Sequence, residues 1–136
     1  MRRIKVCQVI NAYAVGGAET VALDVARGLD PARFESLAVA AVEPRSAETP
    51  EMLRRFREAG VEAHSLHHRR FGDPRALLGL TAFFRRHRPD IVLLGLVNFG
   101  PVAWAAARAC GARLVQNVYG YEVWSALTAP RRMALY

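Results

Sequence analysis

Two adjacent glycines, Gly16 and Gly17, stand between an apolar run, Ile4 to Ile10, and an amphipathic segment that begins at Ala18. That order spells a strand, a tight turn and the N-terminus of a helix. A helix N-terminus presents unpaired backbone N–H groups and the positive end of a dipole, which favours anions such as phosphate. Glycines at that point let a ligand approach the backbone closely. Strand-to-helix loops lie at the carboxyl edge of a parallel sheet, where open α/β folds bind ligands. The spacing is not the G-x-G-x-x-G dinucleotide fingerprint, since no third glycine follows three residues on. Glu19 falls in the first helical turn, and stabilisation of that terminus by an acid is its first reading, ahead of ligand contact. Glu43 ends the second strand, where an adenosine-ribose acid would sit, but one acid at a strand end is a weak signal.

Asn98, Tyr119, Tyr121 and Glu122 follow the fourth and fifth strands and belong to the same edge. Aromatic faces and polar groups of this kind suit sugar recognition, while Tyr121 and Trp124 equally suit packing under a loop. His64, His67 and His68 with Arg69 and Arg70 form the densest basic run. No cysteine or carboxylate cluster accompanies these histidines, so no metal is expected. The run follows the third strand, which makes a solvated loop its first reading. Its alternative is contact of Arg69 and Arg70 with a phosphate-bearing acceptor or an anionic membrane surface, with Phe71 as an interfacial anchor. No Ser-His-Asp, Cys-His or paired-carboxylate arrangement can be assembled, and no catalytic residue is assigned.

The elements that must position these residues alternate from end to end. Strands are expected at Ile4–Ile10, Phe34–Val42, Val61–Leu66, Asp90–Val97 and Arg113–Val118. The first helix, Ala18–Leu29, has Val21, Val25 and Leu29 on one face with Ala18, Ala22 and Ala26 beside it. The second, Glu51–Ala59, turns Met52, Leu53 and Phe56 inward, and Gly60 suits its C′ position. Asp73-Pro74 is an N-cap followed by proline at the first helical position, and the third helix carries Leu77, Leu80, Thr81 and Phe84 along one stripe. It ends in the cations Arg85 to Arg88 and then Pro89. Pro101 opens a fourth helix that Gly111 closes, and a further helix starts near Pro130. Strands separated by helices indicate right-handed βαβ units. The fold class is therefore α/β: a Rossmann-like parallel sheet of order 3-2-1-4-5 with helices on both faces.

Length and composition agree with one globular domain. The chain has 136 residues, 52% of them hydrophobic and 23% charged, enough to bury a core. The net charge is +7 and Lys5 is the only lysine, so the basicity is almost all arginine. Such a surface favours phosphates, acidic lipids or nucleic acid, or reflects a genome that writes arginine freely. Cys7 and Cys110 read as reduced, buried thiols of a cytoplasmic protein. Ile91 to Ala107 carries no charged residue and approaches a membrane span in length. Gly95, Asn98, Gly100 and Pro101 break it, so it reads as strand, turn and buried helix.

Taken in order, several segments resemble the N-terminal half of the family 4 glycosyltransferases, retaining enzymes of GT-B architecture. They are Val15-Gly16-Gly17-Ala18-Glu19-Thr20 with the helix to Leu29, Phe34-Glu35, Leu53 to Val61, Asp73 to Leu77, and Arg88-Pro89-Asp90-Ile91-Val92. The resemblance covers nearly the whole chain and implies two Rossmann-like halves with a cleft between them. The N-terminal half shapes the acceptor site; the C-terminal half holds most of the nucleotide-sugar and a paired-glutamate motif, which is not found in this sequence. Residues 1–136 are then expected to be one acceptor-side domain, truncated at its C-terminal end, inactive without a donor-binding half. Two departures stand out. Members often carry histidines just after strand four, where Leu93 to Asn98 has none. Many have a histidine ending strand five, where Tyr119 stands before Gly120; tyrosine hydrogen-bonds a sugar but handles protons poorly near neutral pH.

By this reading Gly16, Gly17, Asn98, Tyr119 and Glu122 bind substrate. No cofactor is expected beyond a nucleotide-sugar co-substrate of the intact enzyme. The expected location is the cytoplasm, including the cytoplasmic face of the membrane. The alternative is a non-catalytic α/β module for nucleotides or nucleic acid. It rests on the charge and the Gly-Gly loop, and lacks any recognition-helix or RNA-binding signature.

Overall fold

The computed structural model describes residues 2–42, 50–68, 73–96 and 99–119. In chain order the elements are β1 (Ile4–Ile10), α1 (Gly17–Gly28), β2 (Phe34–Val42), α2 (Pro50–Glu58), β3 (Glu62–His68), α3 (Pro74–His87), β4 (Ile91–Leu94), α4 (Gly100–Ala109) and β5 (Arg113–Gln116). Every strand pair is parallel and the order is β3-β2-β1-β4-β5. The expected Rossmann-like topology is therefore the one observed.

The strand sequences are apolar because the sheet is covered on both sides. On one face Cys7, Val9, Leu37, Val39, Val92 and Leu94 meet α3 and α4 through residues such as Leu80, Phe84, Ala103 and Ala106. On the other, Ile10, Ala38 and Ala40 meet Leu23 and Ala26 of α1 and Met52 and Phe56 of α2. Full burial of a side chain such as Leu80 or Phe56 is worth about 1.5–3 kcal/mol. Cys7 is wholly buried and Cys110 partly so; both are free thiols. Burial pushes the Cys7 thiol far above its usual range, which keeps it protonated and inert. Among the described residues no helix is long and apolar enough to cross a membrane.

Several expectations need correction. The buried stripe of α1 is Glu19, Ala22, Leu23 and Ala26, an i, i+3, i+4, i+7 row; Val21 is 40% exposed. Small alanines bring this helix close to the sheet, so its core face lies beside the one that valine and leucine mark. In α3 the buried residues are Ala76, Leu80, Phe83 and Phe84, with Leu77 turned outward. β4 ends at Leu94, before Gly95, and β5 at Gln116, both short of the expected limits. β3 runs on to His68 instead of ending at Leu66. Its register against β2 shifts between Ala40 and Val42, and His67 there adopts φ 53°. Two residues of β3 oppose one of β2 at this bulge. The expected helix near Pro130 lies outside the described residues.

Termini of the helices follow their sequence signals. The Asp73 side chain accepts from the Arg75 N–H at 2.9 Å, ahead of Pro74. Arg88, left-handed at φ 50°, caps the other end by donating its N–H to Phe84 O at 2.7 Å. Gly60 follows α2 at φ 76°, a conformation in which glycine costs least.

At the amino edge, Asp90 joins three strands. Its Oδ2 accepts from the Lys5 N–H at 2.8 Å. Its own N–H donates to Lys5 O at 2.8 Å, and its carbonyl accepts from the Arg113 N–H at 2.9 Å. Arg2 reaches Oδ1 at 2.6 Å. The Lys5 N–H, then the Arg2 guanidinium, hold the Asp90 carboxyl below the usual carboxylate range. A depressed pKa means stability present above the unfolded value of about 3.9 and lost as pH falls through the folded one. Asp90→Ala is expected to cost about 1.5 kcal/mol at neutral pH, the lower end for a hydrogen bond to a charged group. Urea unfolding should show the gap from wild type closing below about pH 3.9; a gap independent of pH would refute the role of the ionised side chain.

Candidate functional site

Strand order reverses between β1 and β4, since the chain moves outward one way to β3 and then the other way to β5. Loops leaving the two central strands therefore diverge and open a crevice at their carboxyl ends. A small, partly enclosed depression occupies that position, with about 10 Å³ of free space, room for about one water. Its walls come from the end of β1 (Gln8 to Asn11), the first turns of α1 (Ala18, Glu19, Ala22), and Leu93, Gly95 and Leu96. Asn117 and Tyr119 close it from beyond β5.

The loop from β1 to α1 is pinned from beneath. Tyr13 is fully buried, and its hydroxyl lies 2.8 Å from His64 O and 3.1 Å from Ala38 O. Its ring meets Phe56 edge-on at 5.5 Å. The helix then starts at Gly16, which has no side chain to cap it; its carbonyl accepts from the Thr20 N–H and hydroxyl at 3.0 and 2.8 Å. A Cβ at Gly16 would lie 2.4 Å from Glu19 Oε2, so a larger residue there needs the Glu19 carboxyl to move. Its φ of −154° is open to any residue. Gly17 differs: a Cβ at that position meets nothing within 4 Å, and its backbone is not left-handed. Strain from a valine at Gly17, expected if φ were positive, does not arise.

Two polar atoms of residues that line the depression have no hydrogen-bond partner among the described residues. Gln8 is 3% exposed, yet its Nε2 has no hydrogen bond, and neither has Asn11 Oδ1. Such orphaned groups cost about 1–3 kcal/mol each unless something binds them. Gly95 holds the far wall, donating its N–H to Val9 O at 3.2 Å, and a Cβ on it would lie 3.5 Å from the Tyr119 hydroxyl. An amide donor, an amide acceptor, a carboxyl and a phenol thus share one crevice, a set able to bond several hydroxyls at once.

Of the residues named from sequence, Tyr119 lines this depression and Gly16 touches it through Glu19. Gly17 opens α1 beside it. Asn98, Glu122, Arg69 and Arg70 lie outside the described residues, as do Glu43, Phe71, Tyr121 and Trp124. Gln8, Asn11 and Asn117 were not singled out. A signal existed for Gln8: a polar side chain in a strand buried on both faces must meet a partner or a cavity. The three histidines do not act together. His64 turns to Glu62, Phe83 and His87, His67 sits exposed in the bulge, and His68 lies against α3, where a Cβ on Gly79 would fall 2.7 Å from its Nε2.

The profile of the glycosyl transferase 4-like domain matches residues 16–136. The chain belongs to that family. A search of curated proteins finds no match. Among solved structures, a glycosyltransferase from Rickettsia africae ESF-5 superposes with a TM-score of 0.66 at 12% identity, over 92% of this chain and 34% of its own. A putative oxidoreductase from Escherichia coli str. K-12 superposes with a TM-score of 0.56 at 14% identity, over 89% of this chain and 59% of its own. At such identities the likeness establishes the fold alone. The chain spans about a third of the Rickettsia protein's length.

Within this glycosyl transferase 4-like domain, Glu19 gives the site a pH signature. Burial raises its carboxyl above the usual range, against a smaller opposing effect of its own backbone N–H. A raised carboxyl destabilises the folded state once ionised. That penalty is absent below the unfolded pKa of about 4.3 and develops as pH rises through the folded value. Glu19→Gln should therefore melt higher than wild type at neutral pH, with the advantage vanishing near about pH 4. Thermal melts across that range test it; an advantage that persists in acid would assign the effect to packing instead.

Proposed function

We propose that this chain is the acceptor-side domain of a GT-B glycosyltransferase, which moves a sugar from a nucleotide-sugar to a glycan, lipid-linked or small-molecule acceptor. Family membership supports transferase chemistry. The observation that carries the acceptor-side reading is the pair of unpartnered amide atoms, Gln8 Nε2 and Asn11 Oδ1, in the crevice between β1 and β4. In this reading Gly16 and Gly17 bring the α1 N-terminus to a ligand, Tyr119 offers a hydroxyl, and Asn98 and Glu122, which follow the fourth and fifth strands in sequence, also bind substrate. Arg69 and Arg70 contact an anionic acceptor or the anionic cytoplasmic membrane face. Donor binding belongs to a second α/β half, so residues 1–136 alone transfer little or no sugar.

The test is sugar transfer by the enzyme that contains this domain. Gly17→Val places two methyl groups where only ligand would otherwise come, with ordinary backbone dihedrals and open space around the Cβ. Transfer should fall by about 100-fold, the scale of a misplaced reactant, while the melting temperature stays close to wild type. Normal transfer by Gly17→Val would show that the loop is a connector. Salt-resistant binding of an oligonucleotide, with no transfer by any protein containing the domain, would favour the non-catalytic module.

A further inference from the structure

Two strands away from the crevice, a second group of ligating side chains converges on the outer strand. Glu62 and His64 are two apart on β3 and so share a face. His87 reaches them from the last turn of α3. Glu62 Oε1 lies 2.7 Å from His64 Nε2 and 3.6 Å from His87 Nδ1. One ligand atom from each of the three residues falls within 4.8 Å of the others. Both imidazoles are held by packing: His87 stacks on Phe83 at 4.3 Å, and His64 meets Phe83 edge-on at 5.1 Å and His87 at 4.7 Å. The His87 side chain is only 12% exposed.

We propose that Glu62, His64 and His87 bind a divalent ion of the zinc class, tying the edge strand β3 to the end of α3. Two imidazoles and a carboxylate suit Zn²⁺, Co²⁺, Ni²⁺ or Cu²⁺, whereas Ca²⁺ and Mg²⁺ take oxygen ligands. Bonds of about 2.0–2.2 Å to zinc put tetrahedral ligand atoms about 3.3 Å apart. The observed separations bracket that spacing, so small side-chain rotations close the site and leave a fourth position for water. The nearby Lys5 ammonium sits 2.8 Å from the Glu35 carboxylate, which offsets its repulsion of a cation. The ion's role is structural, since the crevice lies across β2 from it.

The experiment uses the untagged chain, stripped of metal with a chelator. Zn²⁺ is titrated by calorimetry, Co²⁺ by its visible absorption, and melting is followed with and without Zn²⁺. The expected result is one saturable ion per chain, a tetrahedral Co²⁺ spectrum and a higher melting temperature in Zn²⁺. His64→Gln and His87→Gln should each weaken Zn²⁺ binding by more than about tenfold, the loss that outer-shell changes alone produce. Glu62 is largely exposed, so Glu62→Gln leaves the core untouched. It should lower the metal-free melting temperature only by as much as loss of an exposed pair with His64 does, yet lose the rise in Zn²⁺. His67→Gln, outside the cluster, should bind as wild type does. Absence of saturable Zn²⁺ binding by the wild type would overturn the proposal, as would unchanged binding in the Glu62, His64 and His87 variants or an equal loss in His67→Gln.

Discussion

The arrangement depends on β1 having no solvent face. It is bonded on one side to β2 and on the other to β4, and Val6 to Ile10 are all buried. Its side chains must therefore be covered from above and below. Right-handed crossovers meet that demand in one way: α1 and α2 cover one face as the chain moves out to β3, and α3 and α4 cover the other as it moves out to β5. The reversal at β1 and β4 is a consequence of covering both faces, and the crevice is a consequence of the reversal. Asp90 holds the opposite ends of the same strands together, so the central strands are clamped at one edge and splayed by their loops at the other.

Sequence pattern revealed the alternation and the strand order because both follow from strongly periodic or continuous apolar runs. It misjudged the core face of α1 because hydrophobicity was taken as a proxy for burial. The valines Val21 and Val25 outrank alanine on any transfer scale, yet close packing on a sheet selects small side chains, and Ala22 and Ala26 win that contest. The limit of β3 was misread for a different reason. A bulge at His67 turns the side chains back into register, and nothing in a run of histidines announces a left-handed residue in a strand. The apolar run from Ile91 continues past Gly95 to Leu96, but the strand ends at Leu94, so apolar character alone overextends β4.

The site was legible where backbone dictates it and obscure where side chains from distant elements meet. The carboxyl-edge rule places Gly16, Gly17 and Tyr119 near one another, and of the three only Tyr119 lines the crevice. Gln8 and Asn11 looked like ordinary polar residues in and after a strand, and their meaning depends on what α1 and Tyr119 leave unpaired. Glu19 carries an acid at a helix N-terminus, but in the fold it is 8% exposed with its carboxyl close to Gly16, so burial outweighs the hydrogen bond from its own backbone N–H and raises its pKa. Glu62 and His64 stand two apart on one strand, but His87 could not be linked to them from spacing, since 22 residues lie between it and His64.

The distribution of satisfied and unsatisfied polar groups separates architecture from chemistry. Pro89 and Asp90, which help carry the family resemblance, are spent on ending α3 and joining β1, β4 and β5. Asp73 is spent on capping. These would serve any protein of this topology, and a putative oxidoreductase shares the fold at a TM-score of 0.56. Different chemistry on one fold must come from groups that the fold does not use itself. In the crevice between β1 and β4 those groups are Gln8 Nε2 and Asn11 Oδ1. Neither supports the sheet or caps a helix, and neither has a hydrogen-bond partner among the described residues. These two amides offer one donor and one acceptor to whatever fills the crevice, water included.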